Sequence, residues 1–481
     1  MLCARMATRP STSLPAVGVL VGAMAAGLLV LVHAGADAIG VASLALVPVA
    51  ALVLAGPGRA AAIAGALGYA AVLHWAYTAH FSPVYAYAGL IDAHPARASL
   101  LIVTALTALP AVWLPLSAGR PSTIVLWVLY VAGYVPTATV PLYLEGNLGV
   151  VLPFLLALVG SMAILGAIVR VRPPPIRAPY LSVTAFTRVL VALGALCSIY
   201  IAATFGVHAP PTLSEVYSTR AQFAVVQASA AAGGYIVPWA ANAINPMLMA
   251  LGLARRRADL LVLAFIGQLL IYSDTGYKAV LFSVAVVPAV YVVVSRASHW
   301  FAAGTVLATP LVLAAAVLAS ARPGGATLAL ATRLFATPGH VGWSYYDYFS
   351  AHPRYHLSHS FLSGVFTSPY NVDPAVLIGS VYFRQGTDAN GSLWADAFAN
   401  FGFAGIVAFS IICAVVLLTL DAVGQRRDAR VAGPAMAIGG LSLGNTGLFT
   451  TMLTQGIALA GLLMALMPPS PIGRGARGRT S

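Results

Sequence analysis

Runs of about 20 apolar residues, separated by short polar breaks, recur along nearly the whole chain. A segment in hydrocarbon must satisfy its own backbone N–H and C=O groups, which a helix does. The runs therefore predict an all-α polytopic membrane protein. Its 481 residues are 60% hydrophobic and only 8% charged, more apolar surface than a soluble domain needs. Arginine supplies every basic residue except Lys278, and Ala, Gly and Val abound. That is a GC-rich coding bias, so the arginines do not signal a nucleic-acid partner. Cys3, Cys197 and Cys413 have neither disulfide-framework nor metal-site spacing.

Apolar runs and polar breaks predict about fourteen spans. They fall near 15–33, 38–55, 60–78, 98–117, 123–142, 149–169, 187–204, 231–252, 259–273, 278–294, 301–320, 392–420, 431–447 and 450–467. The first is read as a retained helix and not a cleaved signal peptide, because a second follows at once. This divides the chain into N-terminal helices (1–204), an outside loop (205–230), central helices (231–320), a large outside loop (321–391), C-terminal helices (392–467) and a basic tail (468–481). A shorter break covers 79–97. With the N-terminus inside, only Arg97, Arg220, Lys278, Arg322, Arg333, Arg354 and Arg384 of the 25 basic residues lie outside. Of the 12 acids, only Asp259, Asp421 and Asp428 lie inside. That asymmetry obeys the positive-inside rule, puts both termini inside, and accounts for most of the formal charge of +13. There is no internal repeat, Walker A motif or dinucleotide fingerprint, so the chemistry-bearing residues gather outside.

Four outside stretches carry candidates. "YSDTGYK" (272–278) breaks an apolar segment and holds Tyr277 and Lys278. A lysine there faces a wet cavity, pairs with an acid such as Asp274, or snorkels from a plain hairpin. "SEVYSTRAQF" (214–223) offers Glu215 and Arg220, an acid and a guanidinium suited to phosphate, or else a solvated surface pair. "GWSYYDYFSAHPRYHLSHSF" (342–361) concentrates Trp343, Tyr345, Tyr346, Tyr355, Arg354 and three histidines. Its aromatics suit sugar rings or an interfacial belt. The spacing of His352, His356 and His359 resembles a metal set, but no Cys or nearby Glu completes it. "TDANGSLWADAFANFGFAG" (387–405) puts Asp396 and Asn400 on one helix face. Asp396 there is either functional or a compensator of the helix dipole.

Three of these stretches resemble the O-antigen polymerase family, whose integral-membrane members polymerise lipid-linked oligosaccharide repeat units. "VYSTRAQF" resembles its outside Tyr-x-x-Arg segment, with Arg220 at the arginine. "YSDTGYKAVLF" resembles its Ser/Thr-Gly-x-Arg/Lys turn opening a helix, with Lys278 at the basic position. "LWADAFANFGFAG" resembles its acidic-aromatic helix ending in Phe-Gly-x-x-Gly, with Asp396 at an acidic position. The likeness covers roughly residues 205–410. Related lipid-A-core ligases place a histidine before the corresponding helix. This chain reads "DANGS" there, so a histidine would approach from the loop as His356 or His359.

The resemblance implies a membrane glycosyltransferase with GT-C-like architecture in a bacterial cytoplasmic membrane. It would need no metal or nucleotide cofactor. The partners implied are a glycan donor on a polyprenyl diphosphate, a second lipid-linked acceptor and the bilayer. The leaving diphosphate needs cations, for which Arg220 and Lys278 lead, with Arg354 and Arg384 from the long loop. The acceptor hydroxyl needs a base within about 3 Å, and Asp396, Glu215, His356 and His359 compete for that role. Trp343, Tyr345, Tyr346 and Tyr355 would make a sugar platform. Another lipid-linked-sugar transferase or glycan ligase, and a lipid-linked oligosaccharide flippase, are the alternative readings. The flippase reading fits the 70-residue outside loop and absent repeat poorly.

Overall fold

Apolar runs become helices, and the polar breaks become the two ends of a bundle. The computed structural model describes residues 58–212, 215–320, 325–360 and 365–470. The expected spans at 15–33 and 38–55, and most of the basic tail, lie outside them. Among the described residues the chain is all-helical, without a strand. The helices are α1 (Arg59–Ala76), α2 (Arg97–Ala108), α3 (Pro121–Leu129), α4 (Val135–Glu145), α5 (Leu148–Val169), α6 (Val183–Phe205), α7 (Val216–Ser229), α8 (Gly233–Trp239), α9 (Asn245–Arg255), α10 (Ala258–Thr275), α11 (Lys278–Ala297), α12 (Phe301–Leu318), α13 (Ala326–Phe335), α14 (Thr337–Ala351), α15 (Pro374–Tyr382), α16 (Leu393–Gly424), α17 (Ala429–Leu443), α18 (Leu448–Leu453) and α19 (Ile457–Leu466).

Nine helical stretches among the described residues are long and apolar enough to cross a membrane. The expected spans differ from them in three places. α11 and α12 run through a short 3-10 turn, Ser298–Trp300, as one 40-residue apolar stretch. The expected 98–117 span stops as a shorter apolar helix, Arg97–Val112. α17 has only 15 residues. The segment 321–391, expected as a loop, carries α13, α14 and α15, and the break 205–230 carries α7.

Pro121–Glu145 is the central stretch, 94% buried, whereas Val183–Phe205 on the periphery is 22% buried. Three stretches widen into a π-helical turn, at Tyr77–Phe81, Tyr130–Tyr134 and Ala240–Ile244. Each turn ends two residues before a proline: Pro83, Pro136 or Pro246. A helix-interior proline lacks its N–H and collides with the carbonyl four residues back. That carbonyl belongs to Ala79, Ala132 or Asn242, inside the wide turn, which relieves the collision. The Tyr130–Tyr134 turn also frees the Val131 carbonyl to accept the buried Tyr69 hydroxyl at 2.9 Å. α3 packs on α17, α4 on α14, and α16 on both α5 and α14.

Arginines close one end. Arg120 donates to the carbonyls of Val169 (2.8 Å) and Val171 (3.0 Å), and Arg170 to Trp113 (2.6 Å). Arg59 donates to Ala111 (2.9 Å) and buried Arg427 to Met467. These carbonyls lie at helix C-termini, where no intrahelical donor remains and a cation is favoured. Asp421, 1% exposed, accepts from the N–H (3.0 Å) and hydroxyl (2.6 Å) of Ser122, with Arg120 3.7 Å away. Backbone bonds from Ile176 to Ala422 and from Leu181 to Leu466 tie the connecting segment to this end. The residues expected to carry chemistry lie at the other end.

Candidate functional site

The site is built on a broken helix. Ser392 caps α16, so Asp396 falls in its first turn, where the helix dipole favours a carboxylate. The helix breaks at Phe401 (φ −142°, ψ 16°) and Gly402 (φ 61°, ψ −143°). Gly402 occupies backbone space essentially reserved for glycine. A Cβ there would also lie 2.7 Å from the Arg354 guanidinium carbon. At Gly405 a Cβ would come within 2.1 Å of the Ala397 carbonyl oxygen. The Phe-Gly-x-x-Gly sequence thus has a physical account: one glycine makes the break and seats Arg354, the other lets the two halves close together.

The loop after α14 docks on this break. The Ala399 carbonyl accepts the Tyr355 N–H at 3.0 Å. His356 and Leu357 both adopt left-handed backbone (φ 52° and 65°), uncommon for non-glycine residues. The Leu357 N–H donates to Asn400 Oδ1 at 2.7 Å. The turn carries His359 to Asp396, with Nε2 3.5 Å from Oδ1 and side-chain exposures of 18% and 16%. Asn400 Nδ2 donates to the same Oδ1 at 3.2 Å. Asp396 Oδ2 faces the turn between α17 and α18, where Gly447 leaves room: a Cβ would sit 2.4 Å from that oxygen. Arg354 lies over the Phe398 ring at 5.5 Å, and among the described residues it makes no hydrogen bond or ion pair.

A second cluster forms where α7 meets the turn between α10 and α11. Gly276 is left-handed (φ 59°), and a Cβ would press on the Val216 carbonyl at 3.0 Å. Arg220 on α7 donates to the Gly276 carbonyl at 3.1 Å and lies 5.4 Å from the Tyr277 ring centroid. Lys278 is the first residue of α11, two positions after Gly276. Burial raises the Tyr277 phenol above its ordinary pKa; Arg220 opposes that shift and Asp388 reinforces it. Asp388 therefore brings the segment before α16 within electrostatic reach of this turn. Asp274 bonds His208 Nδ1 at 2.9 Å; the Lys278 side chain lies outside what the structure describes.

Several expected roles change. Trp343, Tyr345 and Tyr355 are 7%, 2% and 0% exposed, so they form core and not an open sugar platform. The Tyr345 hydroxyl is used on the Ala389 carbonyl and that of Tyr355 on Val372. Tyr346 packs among Phe154, Trp343, Phe398 and Phe403. Glu215 accepts from the N–H (2.9 Å) and hydroxyl (2.7 Å) of Thr212, which hold its carboxyl below the usual range. Those bonds commit Glu215 to stapling the loop before α7. Asn400 is fully buried and cannot touch a substrate. Arg384 is exposed on the turn after α15. His352 stacks on Tyr348 at 4.0 Å and His356 lies tilted against Phe401 at 5.6 Å, so the three histidines diverge. Among the described residues no group of three His, Cys, Asp or Glu side chains could hold a metal.

Sequence reasoning missed His208, which only the fold brings to Asp274, 66 residues away. It also missed Gly447, whose signal was no more than a Gly in a short polar break. Compared with known proteins, the chain matches no family model, no curated protein and no solved structure.

Proposed function

We propose that this chain is an integral-membrane glycosyltransferase that polymerises polyprenyl-diphosphate-linked oligosaccharide repeat units on the outer face of a bacterial cytoplasmic membrane. The observation that carries the reading is the partly exposed Asp396–His359 pair on the broken helix α16, at whose break Arg354, a guanidinium without an anionic partner among the described residues, is also seated. A base and an uncommitted cation at one membrane boundary are what transfer from a lipid diphosphate requires. Their place at the end opposite the arginine-closed one fits an outside site under the positive-inside rule.

The acceptor hydroxyl attacks the anomeric carbon of the donor sugar as the bond from that carbon to the diphosphate oxygen breaks. Asp396 takes the hydroxyl proton through Oδ2, which carries no hydrogen bond among the described residues, and His359 on the Oδ1 side steadies the carboxylate. Negative charge grows on the departing lipid diphosphate, which Arg354 meets, with Arg220 and Lys278 as further contacts. A fixed donor aimed at developing charge contributes about 2–4 kcal/mol to the barrier. Both substrates arrive in the bilayer, so no nucleotide-binding domain is required.

The test is incubation of purified protein in nanodiscs with a polyprenyl-diphosphate oligosaccharide, followed by gel separation of the glycan. A ladder of many rungs is expected. A single added unit would favour a simple transferase or ligase. No product across several repeat units would remove the glycosyl-transfer reading.

A further inference from the structure

Asn400 is the residue whose chemistry departs most from its expected role. Its side chain is wholly buried, and its amide is fully engaged. Nδ2 donates to Asp396 Oδ1 (3.2 Å) and to the Asp396 carbonyl (2.8 Å), while Oδ1 accepts the Leu357 N–H (2.7 Å). We propose that Asn400 is a positioning residue that fixes the Asp396 carboxylate against the left-handed turn carrying His359. The inference rests on the reading of Asp396 as the base.

The chemistry requires an amide. A carboxamide donates to a carboxylate and accepts from an N–H at once; an aspartate only accepts, and a leucine does neither. The bond to Leu357 lies between His356 and His359, at the point where two non-glycine residues hold left-handed backbone. Among the described residues two direct ties join the turn's backbone to α16: this one and the Tyr355 N–H on Ala399. One comes from a carbonyl at the helix break and the other from Asn400. Position 400 therefore sets both the orientation of the Asp396 oxygens and the approach of the imidazole. The other titratable groups facing the pair are Tyr345 on α14, within electrostatic reach of Asp396, and Tyr355 in the same loop, against the His359 ring; Arg354 sits farther along α16, at Gly402. The turn 444–447 supplies none.

The informative variant is Asn400→Asp, close to isosteric, which sets a second carboxylate against Asp396. Two carboxylates at that distance do not both ionise, and one binds its proton more tightly. The acidic limb of the polymerisation rate should move up by one pH unit or more. A residue that merely holds the fold would lower the plateau and leave the limb in place. Asn400→Ser, smaller and uncharged, covers the case in which the aspartate variant does not fold. It should lower kcat at least tenfold with KM for lipid-linked substrate within twofold. An unmoved limb in Asn400→Asp, or an unchanged kcat in Asn400→Ser, overturns the proposal while wild-type polymerisation stands.

A readout independent of activity separates the two claims. The pH midpoint for diethylpyrocarbonate modification of His359, followed by mass spectrometry, should rise by half a unit or more in Asn400→Asp. A risen midpoint in a protein that makes no polymer keeps the coupling and removes the polymerase reading. An unchanged midpoint removes the coupling.

Discussion

Asp421 and Asp396 stand on the same helix, near its opposite ends, and their surroundings differ in kind. Asp421 is sealed from solvent, with both oxygens taken by Ser122 and Arg120 alongside. Asp396 leaves one oxygen without a hydrogen bond, packed against Gly447, and shares the other between Asn400 and a histidine at a loose 3.5 Å. The cations differ in the same way. Arg120 and Arg427 spend their N–H groups on helix-terminal carbonyls, whereas Arg354 rests on a ring and a glycine. A closed, satisfied carboxylate ties elements together. A carboxylate with a spare oxygen, on a helix whose break also seats a spare cation, retains capacity for an outside molecule. His208–Asp274 shows the intermediate case: a close 2.9 Å pair between an exposed imidazole and a buried acid, holding the loop before α7 to α10.

The largest effect expected from this contrast is on turnover. Asp396→Asn should lower polymerisation about 10²–10⁴-fold, the span for loss of a general base, with unchanged thermal unfolding. A full rate in that variant would take Asp396 out of the chemistry. At the other end the outcomes should invert. Asp421→Ala should cost about 3–5 kcal/mol in unfolding experiments, as removal of one partner from a buried charged set does. Its surviving folded fraction should keep wild-type specific activity; a stable but inactive variant would erase the distinction between the two ends.

Gly402→Ala is expected to act on both quantities. Its backbone conformation costs about 1–3 kcal/mol for a residue with a side chain, and the added carbon displaces Arg354. Wild-type stability would mean that the break relaxes without strain. His340 sharpens the contrast by pH. Burial lowers its pKa to about 4, so the folded state resists a proton that the unfolded state takes up near pH 6.5. Stability should therefore fall as pH drops from about 6.5 to 4, by up to about 1.4 kcal/mol per unit. His340→Phe should flatten that slope, which chemical unfolding at several pH values measures. The smallest effect is expected for Glu215→Gln, within about twofold of wild-type activity, because that carboxylate is committed to Thr212. A large loss there would reinstate Glu215 as a candidate base.

Part of this was legible before any coordinates. Apolar runs give helices because the backbone must bond to itself wherever the side chains exclude water. Asp396 and Asn400 share a face because they are four residues apart. The aromatics of 343–355 were harder to read. Val341, Tyr345 and Phe349 recur at four-residue intervals on α14 and are buried, a core pattern masked by the polar residues between them. The helices at 326–335 and 337–351 were likewise obscured by the polarity of the surrounding segment.

The existence of apolar helices and the asymmetry of charge between the two ends follow from residue type and spacing, because each is governed by neighbours a few positions away. Which carboxylate is closed and which is open does not. Ser122 reaches Asp421 across 299 residues and Trp394 reaches Ser161 across 233. His359 reaches Asp396 only through a left-handed turn seated on Asn400. Such pairings depend on how whole helices pack, and packing energy is shared among many side chains rather than written in any one stretch.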